Sequence, residues 1–179
     1  MMSGESAVQR VVGSILIIIA TTGAGYMYGA ELSRYLEKMR YLRYVAGLIR
    51  GEMEYTCAPL PEVFRETGRR VKEPYASWLR HLAEETDRRE ESAFARIWNR
   101  SIDRDLKELG MKSEHSILLK EMGTFLGQID RETSDRSMQL YMNRMDLEIE
   151  KLREGLASRK KIGNCLGVMG GIFLVVVLL

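Results

Sequence analysis

The chain has few of the residues from which cross-linked or metal-bound scaffolds are built. It contains 2 cysteines, 2 histidines and 3 prolines among 179 residues. Cys57 and Cys165 lie far apart and form no CxxC pair, which excludes a disulfide framework and a zinc ribbon. So few prolines also exclude a proline-rich linker architecture.

The sequence also lacks the motifs of the common catalytic sites. It has no HExxH, no GxxxxGK[ST] and no GxSxG motif. A di-iron bundle needs glutamate three residues before its histidines, and neither His81 nor His115 has one. We therefore predict that the protein is not an enzyme, and we assign no catalytic, metal-binding or cofactor-binding residue.

An excess of charge of one sign is missing as well. There are 27 Lys and Arg residues against 25 Asp and Glu residues, which gives a net charge of +2. This balance argues against a dedicated nucleic-acid-binding protein. The densest basic cluster, which consists of Arg65, Arg69, Arg70 and Lys72, is either an ordinary polar helix face or a surface for anionic lipid or an acidic partner.

Two long runs contain no charged side chain. They are residues 11–30 and 162–179, and the residues between them, 31–161, hold 26 of the 27 basic and 24 of the 25 acidic residues. As helices these runs would be about 30 and 27 Å long, which is close to the thickness of a bilayer's hydrocarbon core. We predict two transmembrane helices around a soluble domain at residues 31–161, preceded by an N-terminal extension at residues 1–10. The alternatives are a cleaved signal peptide for the first run and a buried core helix for the second.

Basic residues near the two runs predict the orientation of the chain. Arg34, Lys38, Arg40 and Arg43 follow the first run, whereas only Arg10 precedes it. The positive-inside rule then places residues 31–161 in the cytoplasm and both termini outside.

Small residues four apart predict helix packing faces within the membrane. These residues are Gly25 and Gly29 in the first run, and Gly163, Gly167 and Gly171 in the second.

The apolar residues between the two runs recur at helical spacing and show no sustained strand alternation. They predict an all-α fold, an antiparallel bundle of about six helices flanked by the two transmembrane helices. We expect breaks at Cys57–Pro59, before Pro74, at Thr86–Glu91, at Gly110 and at Gly127–Asp130, with Ser113 capping the fifth helix. The sixth helix carries a heptad seam of Met138, Met142, Met145, Ile149, Leu152 and Leu156.

Several short motifs resemble one known family. They are Gly51-Glu52-Met53-Glu54-Tyr55, Pro59-Leu60-Pro61-Glu62-Val63-Phe64, Leu126-Gly127-Gln128-Ile129-Asp130-Arg131-Glu132, and the glycine-rich end from Lys161 to Leu179. In their order and spacing, and in the flanking hydrophobic runs, they resemble the stage III sporulation protein AB family over residues 11–179.

This resemblance implies a function. The family is similar to the cytoplasmic domain of the inner-membrane platform proteins of type II secretion and type IV pilus systems. The resemblance therefore implies a non-enzymatic scaffold of a channel between mother cell and forespore, located in the mother-cell membrane. The partners it implies are a secretion-type ATPase and other membrane proteins. A homo-oligomer is compatible with such a role. The residues it suggests for partner binding are Glu52, Leu60, Gly127, Asp130, Arg131 and Glu132.

Two positions depart from the pattern that the resemblance leads us to expect. Ala58 stands where we expect threonine, which removes a side-chain cap from the second helix. Ser134 stands where we expect glutamine, which weakens the expectation that the Asp130 turn binds a partner as it does in the family. Asp130 itself is a preferred helix N-cap, so it either caps the sixth helix alone or also contacts a partner.

Two other classes of function remain open at this point. Two membrane anchors around a helical bundle also resemble a membrane signalling adaptor, although a receptor would carry a sensing domain outside the membrane. A small membrane enzyme acting on lipid would carry paired polar residues within its anchors. The only polar residues of note there are Thr21, Thr22 and Asn164.

Overall fold

The structure, a computed structural model, describes residues 3–88, 93–127 and 131–178. Most side chains of residues 3–28 and 158–178, and those of residues 131–133, are outside this description. The described ranges contain helices and no strands, which confirms the all-helical prediction. The helices are α1 (Ser3–Thr56), α2 (Leu60–Arg70), α3 (Tyr75–Arg88), α4 (Phe94–Asp105), α5 (Ser113–Leu126) and α6 (Arg131–Leu178), with a 3-10 turn at Lys107–Leu109.

The chain divides into two compact units. The central unit is Lys38–Glu148, and the terminal unit combines Met1–Glu37 with Ile149–Leu179. In the terminal unit the described backbone is helical in both segments. None of the described residues forms a helix that is long and apolar enough to span a membrane. Most side chains of residues 11–30 and 162–179 lie outside the described part of the chain, so the two transmembrane helices remain predictions.

A cluster of aromatic side chains forms the centre of the central unit. Trp78, Trp98 and Phe64 are all fully buried. The rings of Trp78 and Trp98 meet edge to face, with centroids 5.1 Å apart. Both indole N–H groups are satisfied, because Trp78 donates to the Ser101 hydroxyl and Trp98 to the Leu119 carbonyl, each at 2.9 Å. These bonds fix α3, α4 and α5 to one another.

Helices α1 and α6 pack antiparallel within the central unit. Arg43 pairs with Asp146 at 2.8 Å, and Arg50 pairs with Asp135 at 2.9 Å. As residue numbers rise along α1 they fall along α6, so the two helices run in opposite directions. Gly47 allows close packing at this contact, since a Cβ there would lie 3.4 Å from the end of the Met142 side chain.

The heptad seam of α6 is buried over its first four residues. Met138, Met142, Met145 and Ile149 are buried, whereas Leu152 and Leu156 are only half-buried. Tyr141 is also buried, although the heptad pattern omits it. Burial raises the pKa of the Tyr141 phenol well above its usual range, so the side chain is neutral and acts as a core residue.

Several predicted boundaries were wrong by a few residues. α3 continues to Arg88, so Thr86 is helical rather than part of a loop, and residues 89–92 lie outside the described part of the chain. Gly110, with φ of 60°, ends the 3-10 turn rather than α4. Ser113 is the first residue of α5, and the N-cap position belongs to Lys112, which makes no side-chain capping bond.

One large apolar residue of α5 lies on the surface. Ile117 is 58% exposed, whereas Leu118 and Leu119 are buried. The buried face of α5 contains Leu118, Leu119, Met122, Gly123 and Leu126. This face is rotated away from Ile117, because Gly123 brings α5 close to Trp98.

Candidate partner-binding site

A cleft opens where α1 ends and α6 begins. It has a volume of about 240 Å³. Its floor is apolar and consists of Met53, Leu126 and Met138, the last two being buried. Ser134, which also lines the cleft, donates a hydrogen bond to the Phe125 carbonyl at 3.0 Å. This bond ties the first turn of α6 to the last turn of α5.

The rim of the cleft is charged. Nε of Arg50 lies 2.9 Å from Asp135 Oδ1, and Nη2 of Arg50 lies 2.9 Å from Glu54 Oε1. Nη1 of Arg50 bonds to the Gln139 side chain. The hydrogen bond from Arg50 holds the pKa of the Asp135 carboxyl below its usual range, and the same bond raises the pKa of Arg50. The rim therefore places two carboxyl groups around one guanidinium.

Two of the motifs that suggest the family meet at this cleft. Met53 and Glu54 belong to the Gly51–Tyr55 motif, and Leu126 begins the motif that ends at Glu132. These segments are far apart in the sequence but line the same cavity. The antiparallel packing of α1 and α6 brings them together at one end of the central unit.

The predicted binding residues of the Leu126–Glu132 motif are only partly described. Gly127 follows the last residue of α5 and is exposed, with φ of −82°. Arg131 and Glu132 are the first two residues of α6, but their side chains are outside the described residues. Asp130 also lies outside them. The start of α6 at Arg131 gives Asp130 the chain position immediately before the helix, and its capping role remains a prediction.

Glu52 and Leu60 do not line this cleft. Glu52 pairs with Arg70 of α2 at 3.1 Å and lines a second cavity of about 330 Å³, together with Gly47, Gly51 and Tyr55. Leu60 is the half-buried first residue of α2 and lines neither cavity. The N-cap of α2 is Pro59, which makes no side-chain capping bond, so Ala58 lies one residue before the cap position rather than at it.

The basic side chains on α2 and just after it all have contacts within the chain. Arg65 pairs with Glu62 at 3.0 Å and also with Asp87. Arg69 pairs with Glu66, and the Lys72 ammonium lies 4.4 Å from the centre of the Tyr41 ring. With Arg70 paired to Glu52, every cation of the cluster has a partner. These contacts favour the interpretation as an ordinary polar helix face.

The two histidines have different surroundings. His115 is 2% exposed, and its burial lowers its pKa. Nδ1 of His81 lies 3.4 Å from Oδ1 of Asp105 at a half-exposed position. Within the part of the chain that the structure describes, no three His, Cys, Asp or Glu side chains are placed to hold a metal ion.

The structure does not test the predicted glycine packing faces. Gly29 is described, and the space that a Cβ would occupy there is open. At Gly25, Gly163, Gly167 and Gly171 the surroundings lie outside the described residues. Packing at these glycines remains a prediction.

Comparison with known proteins identifies the family. The sequence model of the family "Stage III sporulation protein AB" matches residues 10–179. The chain belongs to this family. The stage III sporulation protein AB of Bacillus subtilis (strain 168) is 21% identical over 170 residues, which cover 95% of this chain and 99% of that protein. Membership in the stage III sporulation protein AB family gives the chain a role in sporulation.

A solved structure from the family has the same fold. It is the structure of stage III sporulation protein AB (SpoIIIAB), with a TM-score of 0.60 and 19% sequence identity. The match covers 67% of this chain and 94% of that one. The likeness supports the helical architecture described above.

Sequence patterns alone did not indicate the rim residues of the cleft in this family member. In the sequence, Arg50 lies opposite the apolar face of α1, and Asp135 belongs to none of the family motifs. The two are 85 residues apart, and only the packing of α1 on α6 joins them. A useful signal was present, since both residues lie within a few positions of the family motifs.

Proposed function

We propose that the protein is a non-enzymatic membrane platform of a secretion-like channel between mother cell and forespore. Residues 11–30 and 162–179 anchor it in the mother-cell membrane, and residues 31–161 lie in the cytoplasm. There they couple a secretion-type ATPase to the other membrane proteins of the channel. This proposal is more specific than the sporulation role that follows from family membership.

The cleft between α1, α5 and α6 is the observation that carries this proposal. A scaffold needs a defined surface for a partner, and an apolar cavity with charged rim groups provides one. Met53, Glu54 and Leu126 come from two family motifs and are positioned by the ends of α1 and α5. The cleft is therefore the surface at which we place the cytoplasmic partner.

A charge placed on the cleft floor tests this assignment. Met53→Glu puts a carboxylate among apolar side chains at a half-buried position, where it would repel an apolar partner group. Leu147→Glu is the matched control, because it adds the same charge to α6 at a side chain that is 64% exposed. Both variants are expressed as the full chain in a strain that lacks the wild-type protein.

The readouts are spore counts, the amount of protein and co-purification of the ATPase from sporulating cells. We expect wild type and Leu147→Glu to retain the ATPase and form spores. Met53→Glu should lose both at an unchanged protein level. Absence of the ATPase from the wild-type complex would refute the coupling, and wild-type behaviour of Met53→Glu would refute the cleft as the contact.

A further inference from the structure

We propose that the cleft receives a lysine or arginine side chain of the partner protein. The aliphatic part of that side chain lies on Met53, Leu126 and Met138, and its cation lies beside Glu54 and Asp135. This inference rests on the proposed function, and it specifies the chemistry by which the partner is recognised.

The charge of the rim requires a cationic group. Glu54 and Asp135 both pair with Arg50, so two carboxylates share a single guanidinium. Among the described side chains that line the cleft, two carboxyl groups thus face one guanidinium. A second cation beside the two carboxylates would interact favourably with both, and solvent screening keeps such partly exposed ion pairs modest in strength.

The rim disfavours an anionic partner group. Nε, Nη1 and Nη2 of Arg50 are all engaged, with Asp135, Gln139 and Glu54 respectively. An incoming carboxylate or phosphate would therefore meet two carboxylates and an arginine whose nitrogens already have acceptors. An acidic peptide and a phosphate group are the wrong chemistry for this cleft.

The floor requires an apolar stem below the cation. Leu126 and Met138 lie at the bottom, whereas the side chains of Glu54 and Asp135 are 52% and 46% exposed at the rim. Lysine and arginine have this construction, because they bury an aliphatic chain and keep the charge near water. Methionine side chains can adjust to either shape.

The first experiment identifies the occupant in the cell. A photoreactive amino acid replaces Met53 in the full chain, and sporulating cells are irradiated. The cross-linked peptide is identified by mass spectrometry. We expect a peptide of another protein with lysine or arginine at, or within two residues of, the cross-linked position. A peptide without such a residue, a second copy of this chain, a lipid or no cross-link at all would overturn the proposal.

The second experiment measures the charge dependence. The captured segment is synthesised with a fluorescent label, and its binding to the purified full chain is followed by anisotropy. Glu54→Gln and Asp135→Asn should each weaken binding roughly two- to fivefold, which is the range for partly exposed ion pairs. Asp146→Asn is the matched control, because it removes the same kind of arginine partner from α6 outside the cleft. It should leave binding unchanged.

A peptide variant separates the cation from its stem. Replacing the basic residue with norleucine keeps the aliphatic chain and removes the charge. This peptide should bind wild type more weakly than the parent does, and it should lose nothing further on Glu54→Gln with Asp135→Asn. Equal binding of the two peptides to wild type would overturn the proposal. If the two peptides bind equally while the ATPase still co-purifies with the wild-type protein, the proposed function stands and only this inference fails.

Discussion

Gly123 of α5 lies directly against the indole ring of Trp98 of α4. A Cβ on Gly123 would lie well inside the van der Waals contact distance of Cβ, Cγ and Cδ1 of Trp98. Trp98 cannot move aside easily, because its Nε1 is bonded to the Leu119 carbonyl and its ring packs against Trp78. The glycine therefore sets the distance between α4 and α5.

This contact predicts that Gly123→Ala destabilises the protein. Overpacking of a closed core typically costs about 1–3 kcal/mol, and the rigid indole leaves little room for relaxation. Gly155→Ala is the control, because that helical glycine has open space around it and alanine there should stabilise by about 0.5–1 kcal/mol. Chemical denaturation of both variants measures the difference, and equal stability of the two would contradict the packing described here.

The buried hydrogen bond between Trp78 and Ser101 predicts a second loss of stability. Ser101→Ala leaves the Trp78 N–H without its acceptor at a site closed to water, which costs about 1–3 kcal/mol. Ser101 also donates to the Trp98 carbonyl, three residues earlier, and Thr124→Ala removes the equivalent bond to the Glu121 carbonyl at an exposed position. We expect a clear fall in melting temperature for Ser101→Ala and little change for Thr124→Ala. A similar fall in melting temperature for both variants would show that the loss comes from the bond to a carbonyl of the same helix and not from the Trp78 N–H.

The buried His115 predicts a dependence of stability on pH. Its burial favours the neutral imidazole, so its pKa in the folded protein lies below the ordinary value of 6.5. As the pH falls through that value, the unfolded state takes up a proton that the folded state resists, and stability decreases. Lys112 also lowers the pKa, whereas Glu114 and Glu148 partly oppose the shift.

Replacing this histidine should remove that part of the pH dependence. Between pH 7.5 and 5.5, the free energy of unfolding should fall more for wild type than for His115→Leu. Denaturant titrations of both proteins at several pH values give the two slopes. If the free energy of unfolding depends on pH equally in both proteins, the buried His115 does not cause the loss of stability.

The helices and much of the core follow from local sequence. Trp78 and Leu82 lie four residues apart in α3, as do Trp98 and Ile102 in α4, and a helix face that is apolar along its length has few alternatives to burial. The seam of α6 was predictable from Met138 to Ile149 for the same reason. The burial of side chains with a polar group was not predictable, since Tyr141 and His115 are buried through contacts with other helices.

The site depended on packing that no local pattern shows. Arg50 and Asp135 each appear in sequence as ordinary charges on a solvated helix face. Their pairing requires α1 and α6 to be antiparallel in one register, and Ser134 supports it by bonding to the end of α5. The family motifs indicated the neighbourhood, whereas the charged rim became visible only in three dimensions.

Asp130 gives a prediction that separates capping from partner binding. Asparagine accepts the same capping hydrogen bond as aspartate, so Asp130→Asn should keep the melting temperature within a few degrees. We expect it nevertheless to reduce the spore count, because a charge-dependent contact cannot be made by an amide. Asp130→Ala provides the comparison, since it removes both the cap and the charge and should cost about 1 kcal/mol. Normal sporulation of Asp130→Asn would leave capping as the only role.

The exposed Cys57 allows the proposed topology to be tested. Cys57 lies between α1 and α2, forms no disulfide and is exposed. If residues 31–161 are cytoplasmic, a membrane-impermeant maleimide should not label Cys57 in intact sporulating cells but should label it after lysis.

The complementary variant carries Cys57→Ser and Cys165→Ser together with a new cysteine appended after Leu179. That cysteine should be labelled in intact cells, because both termini are proposed to lie outside. Labelling of Cys57 before lysis, with protection of the appended cysteine, would reverse the orientation and remove the cytoplasmic cleft on which the ATPase contact depends.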